Sequence, residues 1–123
     1  MAYPIAEVVL DCSDPQALAE FYGELLGARP RQSRPEWASI WADPIIIGFQ
    51  RVPESKVVKN RVHLDFTAVD LLAATAHAES LGAIRQGDVI AEPPGEFIVL
   101  QDPEGNEFCF VSGYPEDPNQ AID

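Results

Sequence analysis

The stretch Arg61–Ala83, RVHLDFTAVDLLAATAHAESLGA, decides the fold of this chain. Its first half alternates apolar and polar residues, and this period of two predicts a strand with one buried face. The predicted inward residues are Val62, Leu64 and Phe66, and the predicted outward residues are His63, Asp65 and Thr67. Polar side chains on the outward face are therefore candidates for a binding site.

The second half of this stretch changes to a helical period. Leu71, Ala74, Ala78 and Leu81 recur at helical spacing on one face. Asp70 is placed to cap the first turn, and Gly82 is placed to end the helix. The sequence therefore predicts a strand, a tight corner and a helix in immediate succession.

An earlier segment, Glu7–Ala28 (EVVLDCSDPQALAEFYGELLGA), repeats this unit. Asp14 is the predicted cap, Pro15 occupies the first helical position, and Gly27 ends the helix. The remaining predicted strands are a short edge strand within Arg29–Pro35, then Trp37–Trp41, Ile45–Val52, Ile84–Ile90, Phe97–Gln101 and Glu107–Ser112. Each half therefore reads β-α-β-β-β.

The repeat predicts the domain organisation. We expect a single domain over 1–123, with module one at about 1–53, module two at about 60–113, and a tail at 114–123. The polar segment Pro53–Asn60 is the predicted linker. A chain of 123 residues can bury one ordinary core, whereas half of it is too short to be stable alone.

Charge and composition exclude several classes of partner. Apolar residues make up 46% of the chain and its net charge is −12, so DNA, RNA and anionic membranes would be repelled. The sequence has no charged segment followed by an apolar run at its start and no apolar stretch of membrane-spanning length, so we expect a cytoplasmic protein. Strand alternation places the Cys12 side chain on the core face and the Cys109 side chain on the opposite face of the sheet. The sequence therefore predicts two free thiols and no disulfide.

Three motifs together resemble the vicinal-oxygen-chelate superfamily, which includes glyoxalase I, bleomycin-resistance proteins and extradiol dioxygenases. They are DCSDPQALAEFYGELLGA, VHLDFTAVDLLAATAHAESLGA and DPEGNEFCF, and they occur in this order at repeat spacing. The chain is most similar to small bacterial glyoxalase-like proteins. The resemblance implies an α+β fold in which two βαβββ modules form a cupped, mixed β-sheet, with the helices on the outer face and the site in the cleft. It also implies a homodimer.

The resemblance implies a metal site that this chain fills only in part. The ligand positions fall at Glu7, at His63, at Cys109 where the family normally has glutamate, and near Gly48 or Gln50. Glycine offers no side-chain ligand and glutamine is a weak neutral one. The expected cofactor is therefore none or a single divalent metal ion, with Glu7 and His63 as its ligands.

The residues themselves give a predicted pocket with two interpretations. The predicted pocket residues are Glu7, Asp11, Gln50, His63, Asp65 and Cys109. Imidazole and carboxylates are suitable ligands for zinc or iron. Alternatively, His63 is a hydrogen-bonded pocket residue and Cys109 a small buried apolar one. His77 is predicted on the polar side of its helix, outside the site.

Aromatic residues in the strands add a possible stacking surface to this pocket. Trp37, Trp41, Phe49 and Phe97 lie in strands predicted to wall the cleft, and strand alternation lets only some of them face it. Their side chains could contact a flat ligand.

Two functions follow from these observations. The first is a glyoxalase-like binding protein, similar to bleomycin-resistance proteins, that holds a small, partly apolar ligand without a full metal site. The alternative is a metal-dependent or His/carboxylate acid–base enzyme of isomerase, lyase or dioxygenase type, with His63 and Glu7 as the best catalytic candidates. The partner in either case is a small molecule.

Overall fold

The computed structural model describes residues 2–114. Contacts divide the chain between Val57 and Val58 into two compact units, called here the first module and the second module. The division falls inside the segment predicted as a linker, while the assignment of 1–123 as one domain stays a prediction. Of the predicted tail, residues 115–123 lie outside the described residues.

The first module is one four-stranded mixed sheet with one helix. Its elements in chain order are β1 (Glu7–Cys12), α1 (Pro15–Leu26), β2 (Arg31–Arg34), β3 (Trp37–Trp41) and β4 (Ile46–Arg51). The strand order is β1-β4-β3-β2, with β1 parallel to β4 and the other pairs antiparallel. As predicted, β2 is an edge strand.

Capping and apolar spacing explain why α1 forms where it does. The Asp14 carboxylate accepts a hydrogen bond from Ala17 N at 3.2 Å, and Gly27 ends the helix with a positive φ of 69°. The helix buries Leu18 and Tyr22, and the Tyr22 ring stacks on Phe49 with centroids 5.8 Å apart. These contacts form the core of the first module.

The second module repeats this plan with one broken strand. Its elements are β5 (Leu64–Thr67), α2 (Leu71–Ser80), β6 (Ile84–Arg85), β7 (Ile90–Glu92), β8 (Gly95–Gln101) and β9 (Glu107–Ser112). The strand order is β5-β9-β8-β6, and β7 also pairs with β8. Again the first and last strands are parallel and the other pairs are antiparallel.

The second helix uses the same start signal as the first. Asp70 Oδ1 accepts a hydrogen bond from Ala73 N at 3.1 Å. The buried face of α2 carries Leu71, Thr75 and Ala78, and the Thr75 hydroxyl donates to the Leu71 carbonyl at 2.7 Å. The sheet residues buried in this module's core are Ile98, Leu100, Phe108 and Phe110.

A tight turn at residues 102–106 sets the register between β8 and β9. The buried Asp102 carboxylate accepts hydrogen bonds from Glu104 N at 2.8 Å and Asn106 N at 3.0 Å. The Asn106 amide donates to its second oxygen at 2.9 Å, and Gly105 takes a positive φ of 87°. This turn fixes which side chains of β9 face the core and which face away.

The structure confirms the predicted fold class, α+β with two βαβββ modules, and corrects several details. Val62, predicted as a core residue, precedes β5 and is 69% exposed, because the chain bends at Arg61 and Val62 and the strand begins only at Leu64. The strand predicted over 84–90 is two short strands, β6 and β7, separated by residues 86–89. Phe49 faces α1 in the core and is fully buried, so it does not wall a cleft.

Both cysteines, Cys12 and Cys109, are free thiols, as predicted. Within residues 2–114 no helix is both long and apolar enough to cross a membrane.

Candidate functional site

The sheet face of the second module that points away from α2 contains a cleft of about 520 Å³. The residues lining it are Lys59, His63, Asp65, Glu92, Phe97, Val99, Glu107, Cys109, Val111 and Tyr114. Strand alternation explains the set, since residues two apart on β8 and β9 point to the same side. All of these residues belong to one module.

Strand pairing places the floor of the cleft in rows. Cys109 on β9 lies between Asp65 on β5 and Val99 on β8. The next row along pairs Val111 with Phe97. The centre of the cleft is therefore apolar, and Asp65 flanks it on the β5 side.

His63, Asp65 and Cys109 form a cluster at this flank. His63 Nε2 lies 3.1 Å from Asp65 Oδ1, and both side chains are about half exposed. One donor atom from each of the three residues lies within 4.8 Å of the others. The sequence predicted all three as pocket residues, and the second module brings them together.

The Cys109 thiol is a proton donor in this cluster. Burial, followed by the charge of Asp65 and the hydrogen bond that the thiol donates to its carboxylate, raises the pKa of Cys109 from 9.0 to about 11, against an opposing effect of Lys59. A raised thiol pKa favours the neutral form, so Cys109 is not an activated nucleophile at neutral pH.

Glu107 is a cleft residue that the sequence interpretation missed. It is 7% exposed, and its Oε2 accepts a hydrogen bond from Asn60 N at 3.1 Å. In return, the Asn60 side-chain amide donates to the Glu107 carbonyl at 3.2 Å. Glu107 lies two positions before Cys109 on the same strand, so alternation could have placed it on this face.

Tyr114 is the second missed residue, since it was assigned to the tail. Its ring packs over Gly95, where a Cβ would lie 2.8 Å from Tyr114 Cε2, and its hydroxyl donates to the Glu92 carbonyl at 2.9 Å. Desolvation, followed by the carboxylates of Glu92, Asp65 and Glu96, raises the pKa of the Tyr114 phenol above its ordinary value. The Tyr114 ring fits here because Gly95, distant in the sequence, has no side chain. No local sequence pattern indicates such a contact.

The other predicted site residues lie in the first module. Glu7 and Asp11 are on β1, and Gln50 on β4 is the register partner of Asp11. All three are exposed, and none lines the cleft described above. Gly48, the other candidate for the fourth ligand, lies beneath the Trp37 indole, where a Cβ would be 2.7 Å from Cζ2. Roles for Glu7, Asp11 and Gln50 stay predictions.

The donor atoms of His63, Asp65 and Cys109 are of the kinds that bind the divalent metal implied by the fold family. Nitrogen, oxygen and sulfur are all ligands that zinc accepts, at about 2.0–2.3 Å. Donor atoms that lie within 4.8 Å of one another would have to move closer together to bind one ion at these distances. His63, Asp65 and Cys109 would hold the metal, and the ion would have to displace the thiol proton. The predicted ligand Glu7 is not a member of this group.

Comparison with known proteins shows which family the chain matches. The sequence profile of the glyoxalase-like domain matches residues 7–111. No functionally curated protein matches the chain.

Solved structures of similar fold extend this finding. A glyoxalase/bleomycin resistance protein/dioxygenase family enzyme from Burkholderia phytofirmans PsJN is 20% identical, with a TM-score of 0.76, covering 89% of this chain and 98% of its own. The fosfomycin resistance protein FosX from Listeria monocytogenes is 15% identical, with a TM-score of 0.77 over 94% and 98%. A mutant of the same FosX, complexed with Mn(II) and 1S,2S-dihydroxypropylphosphonic acid, is 16% identical, with a TM-score of 0.78 over 94% of each chain. At these identities the likeness shows the fold alone.

Proposed function

The chain belongs to the glyoxalase-like domain family, and from that premise we propose that it binds a small, partly apolar molecule in the cleft of its second module. The observation that carries this proposal is the cleft itself, about 520 Å³ in volume, within the size range of small-molecule sites. Its centre, formed by Val99 and Val111, is apolar, and its ionisable side chains lie around that centre. Sites of this composition gain affinity from apolar burial and orientation from the polar groups.

The internal packing of the polar groups supports a preformed site. Asp65 contacts His63, Glu107 is held by Asn60, and Tyr114 is held by Glu92. Groups fixed before a ligand arrives reduce the entropy lost on binding. The cleft is therefore suited to holding a ligand without rearrangement.

A fragment screen read by amide chemical shifts tests the proposal. We expect fragments with an apolar body to shift the backbone amides of Val99, Cys109 and Val111. Val99→Trp would fill the cleft floor and abolish these shifts. The matched control is Val69→Trp, because Val69 is fully exposed and does not line the cleft. Fragments that bind elsewhere, or equally well to Val99→Trp, would contradict the proposal.

The donor cluster supports a second candidate function, a metal-dependent enzyme of isomerase, lyase or dioxygenase type. His63, Asp65 and Cys109 would hold a divalent ion, which would supply Lewis-acid polarisation of a carbonyl or similar oxygen. In this function Cys109 would bind the ion as the thiolate, and Asp65 and His63 would supply the other two protein ligands. The complex of the FosX mutant with Mn(II) supports this alternative.

Cobalt(II) loading separates the two candidates. The metal-dependent function predicts one ion per chain and a thiolate-to-cobalt charge-transfer absorption. That absorption should vanish in Cys109→Ala and weaken in His63→Ala. It should persist in His77→Ala, since His77 is an exposed residue of α2. Failure to load the ion would remove the second candidate and leave the first.

We also propose a homodimer, on the resemblance alone, and a cytoplasmic location, which the two free thiols fit. Light scattering at high protein concentration tests the dimer, and a monomer mass would contradict it.

A further inference from the structure

Acidic side chains outnumber basic ones around the cleft. Three carboxyl side chains line it, Asp65, Glu92 and Glu107, against one lysine, Lys59, and one histidine, His63, which contacts Asp65. The three acidic residues come from three different strands, β5, β7 and β9, so they surround the apolar floor instead of clustering at one point. An anionic ligand would meet a repulsive field from several sides, strengthened by the net charge of −12.

The carboxylates differ in how far water screens them. Glu107 is buried, and burial disfavours the charged form of a carboxyl group, while the side chain of Asp65 is 49% exposed and Glu92 is exposed on β7. Asp65 and Glu92 are therefore the carboxylates on which the inference depends. A ligand that brings a positive charge over the apolar floor would interact with both.

The apolar groups of the cleft suit the body of such a ligand. Val99 and Val111 form the floor, Phe97 pairs with Val111, and the Tyr114 ring lies at the β7 side. Aromatic faces attract cations in addition to providing apolar contact. The cleft thus combines a negative surround with aromatic side chains.

We propose, building on the proposed binding function, that the ligand of this cleft is an organic cation with an apolar body about the size of an aromatic ring. The charged group is a quaternary ammonium group, which is attracted by carboxylates and aromatic faces and donates no hydrogen bond. Lys59 opposes its binding and sets a limit on the affinity. An organic cation is opposite in charge to the phosphonic acid in the complex of the FosX mutant.

A pair of isosteric probes tests the sign of the charge. The cation is 3-hydroxyphenyltrimethylammonium, and its neutral counterpart is 3-tert-butylphenol, which has the same shape. Affinities are measured by amide shift titration at neutral pH in low salt. We expect the cation to bind at least about tenfold more tightly than the neutral probe, and the advantage to shrink as salt rises through about 0.5 M.

Three variants assign the preference to the cleft. Asp65→Asn and Glu92→Gln should each reduce the cation's advantage several-fold, and Lys59→Gln should increase it. Two positions are used because each side chain has a different partner in the cleft, Asp65 with His63 and Glu92 with the Tyr114 hydroxyl. A fall in the cation's advantage at both positions therefore cannot come from the loss of one contact. The control is Glu79→Gln, an exposed carboxylate of α2, which should change nothing.

The outcomes distinguish this inference from the function on which it rests. Equal binding of both probes in the cleft, or tighter binding of 3-tert-butylphenol, would overturn the cation inference and leave the binding function standing. A cation advantage that survives both Asp65→Asn and Glu92→Gln would overturn it too. Binding of neither probe in the cleft at millimolar concentration would count against both the inference and the binding function.

Discussion

The two modules have the same topology, but the sheet faces that point away from their helices are built from different chemistry. Val9 and Asp65 both lie five residues before the capping aspartate of their module. Strand pairing then matches Val9 with Gly48 and Asp65 with Cys109. The first module therefore has an apolar residue and a glycine where the second has a carboxylate and a thiol.

The neighbouring row differs in the same way. Glu7 pairs with Ile46 in the first module, and the corresponding positions of the second are His63 and Glu107. One module thus carries one ionisable group in this row, and the other carries two. The helix-facing positions stay apolar in both modules, because they must form a core.

The aromatic residues at equivalent positions of β3 and β8 make different contacts in the two modules. Trp37 in the first corresponds to Phe97 in the second by strand pairing. Trp37 covers Gly48, whereas the position equivalent to Gly48 carries the Cys109 side chain and Phe97 lines an open cleft. Duplicating a fold therefore does not duplicate a site, since the face that determines the fold and the face that carries the chemistry are separate.

The largest expected effect comes from substituting a buried phenylalanine that both modules have at the equivalent position. Phe49 and its counterpart Phe110 both face their helices and are both buried. We expect Phe49→Ala and Phe110→Ala each to lower the free energy of unfolding by about 3–5 kcal/mol, since each leaves a cavity in a packed core. Denaturant titration measures the loss.

The control for these substitutions is Trp41→Ala. Trp41 is just as large but 58% exposed, so its removal should cost far less. A loss at Trp41 equal to that at Phe49 would show that the faces of β3 and β4 are misassigned.

The second-largest effect concerns Cys109, whose counterpart in the first module is Gly48. Its pKa of about 11 lies above its ordinary value of 9.0, so the folded state favours the neutral thiol. At pH 8 the thiolate fraction should be about a hundredfold lower than that of an ordinary thiol, and alkylation correspondingly slow. The rate should rise with pH up to about 11.

Iodoacetamide kinetics in a Cys12→Ala background, with any metal chelated, measure this prediction. Asp65→Asn removes the negative charge beside the thiol, so it should lower the pKa of Cys109 and speed alkylation at pH 8. The raised pKa of Cys109 would be contradicted if alkylation of the Cys12→Ala protein stopped accelerating below pH 9. It would also be contradicted if adding Asp65→Asn left the rate at pH 8 unchanged.

The helix-facing pattern made most of the fold predictable from sequence. Asp14, Pro15 and Gly27 mark the start and end of α1, and Pro15–Leu26 was predicted to the residue. Such signals are local, so a single sequence contains them. Val62 was wrong because alternation continues past the point where the chain bends, and only the pairing with β9, which begins at Leu64, decides where the strand starts.

The site was less predictable, because its members depend on pairing between distant strands. His63 and Cys109 were predicted as pocket residues from alternation and the resemblance, and Asp65 from alternation alone; the second module brings the three together. Tyr114 was missed because its ring needs the space that Gly95 leaves open, nineteen positions earlier in the chain. Contacts of this kind arise from tertiary packing and have no local signature.

A smaller effect is expected at Gly48, the first-module counterpart of Cys109. A Cβ there would press against the Trp37 indole, so Gly48→Ala should displace that ring and cost about 1–3 kcal/mol. In a Trp41→Phe background, the fluorescence of Trp37 should shift to longer wavelength as the indole moves into water. Gly87→Ala is the control, since a Cβ at Gly87 meets nothing within 4 Å. Equal stability of both variants would show that Trp37 does not cover Gly48.

The smallest expected loss of stability comes from substituting the capping aspartates, which both modules have. Asp14 and Asp70 accept almost identical hydrogen bonds, of 3.2 Å from Ala17 N and 3.1 Å from Ala73 N. Asp14→Ala and Asp70→Ala should therefore each cost about 1 kcal/mol, because each leaves one amide of the first turn without its acceptor. Asn at either position should restore most of the loss, since its side-chain oxygen accepts the same hydrogen bond. If Asp70→Ala cost several times more than Asp14→Ala, α2 would depend on its cap more than α1 does, and the equivalence of the two helices would fail.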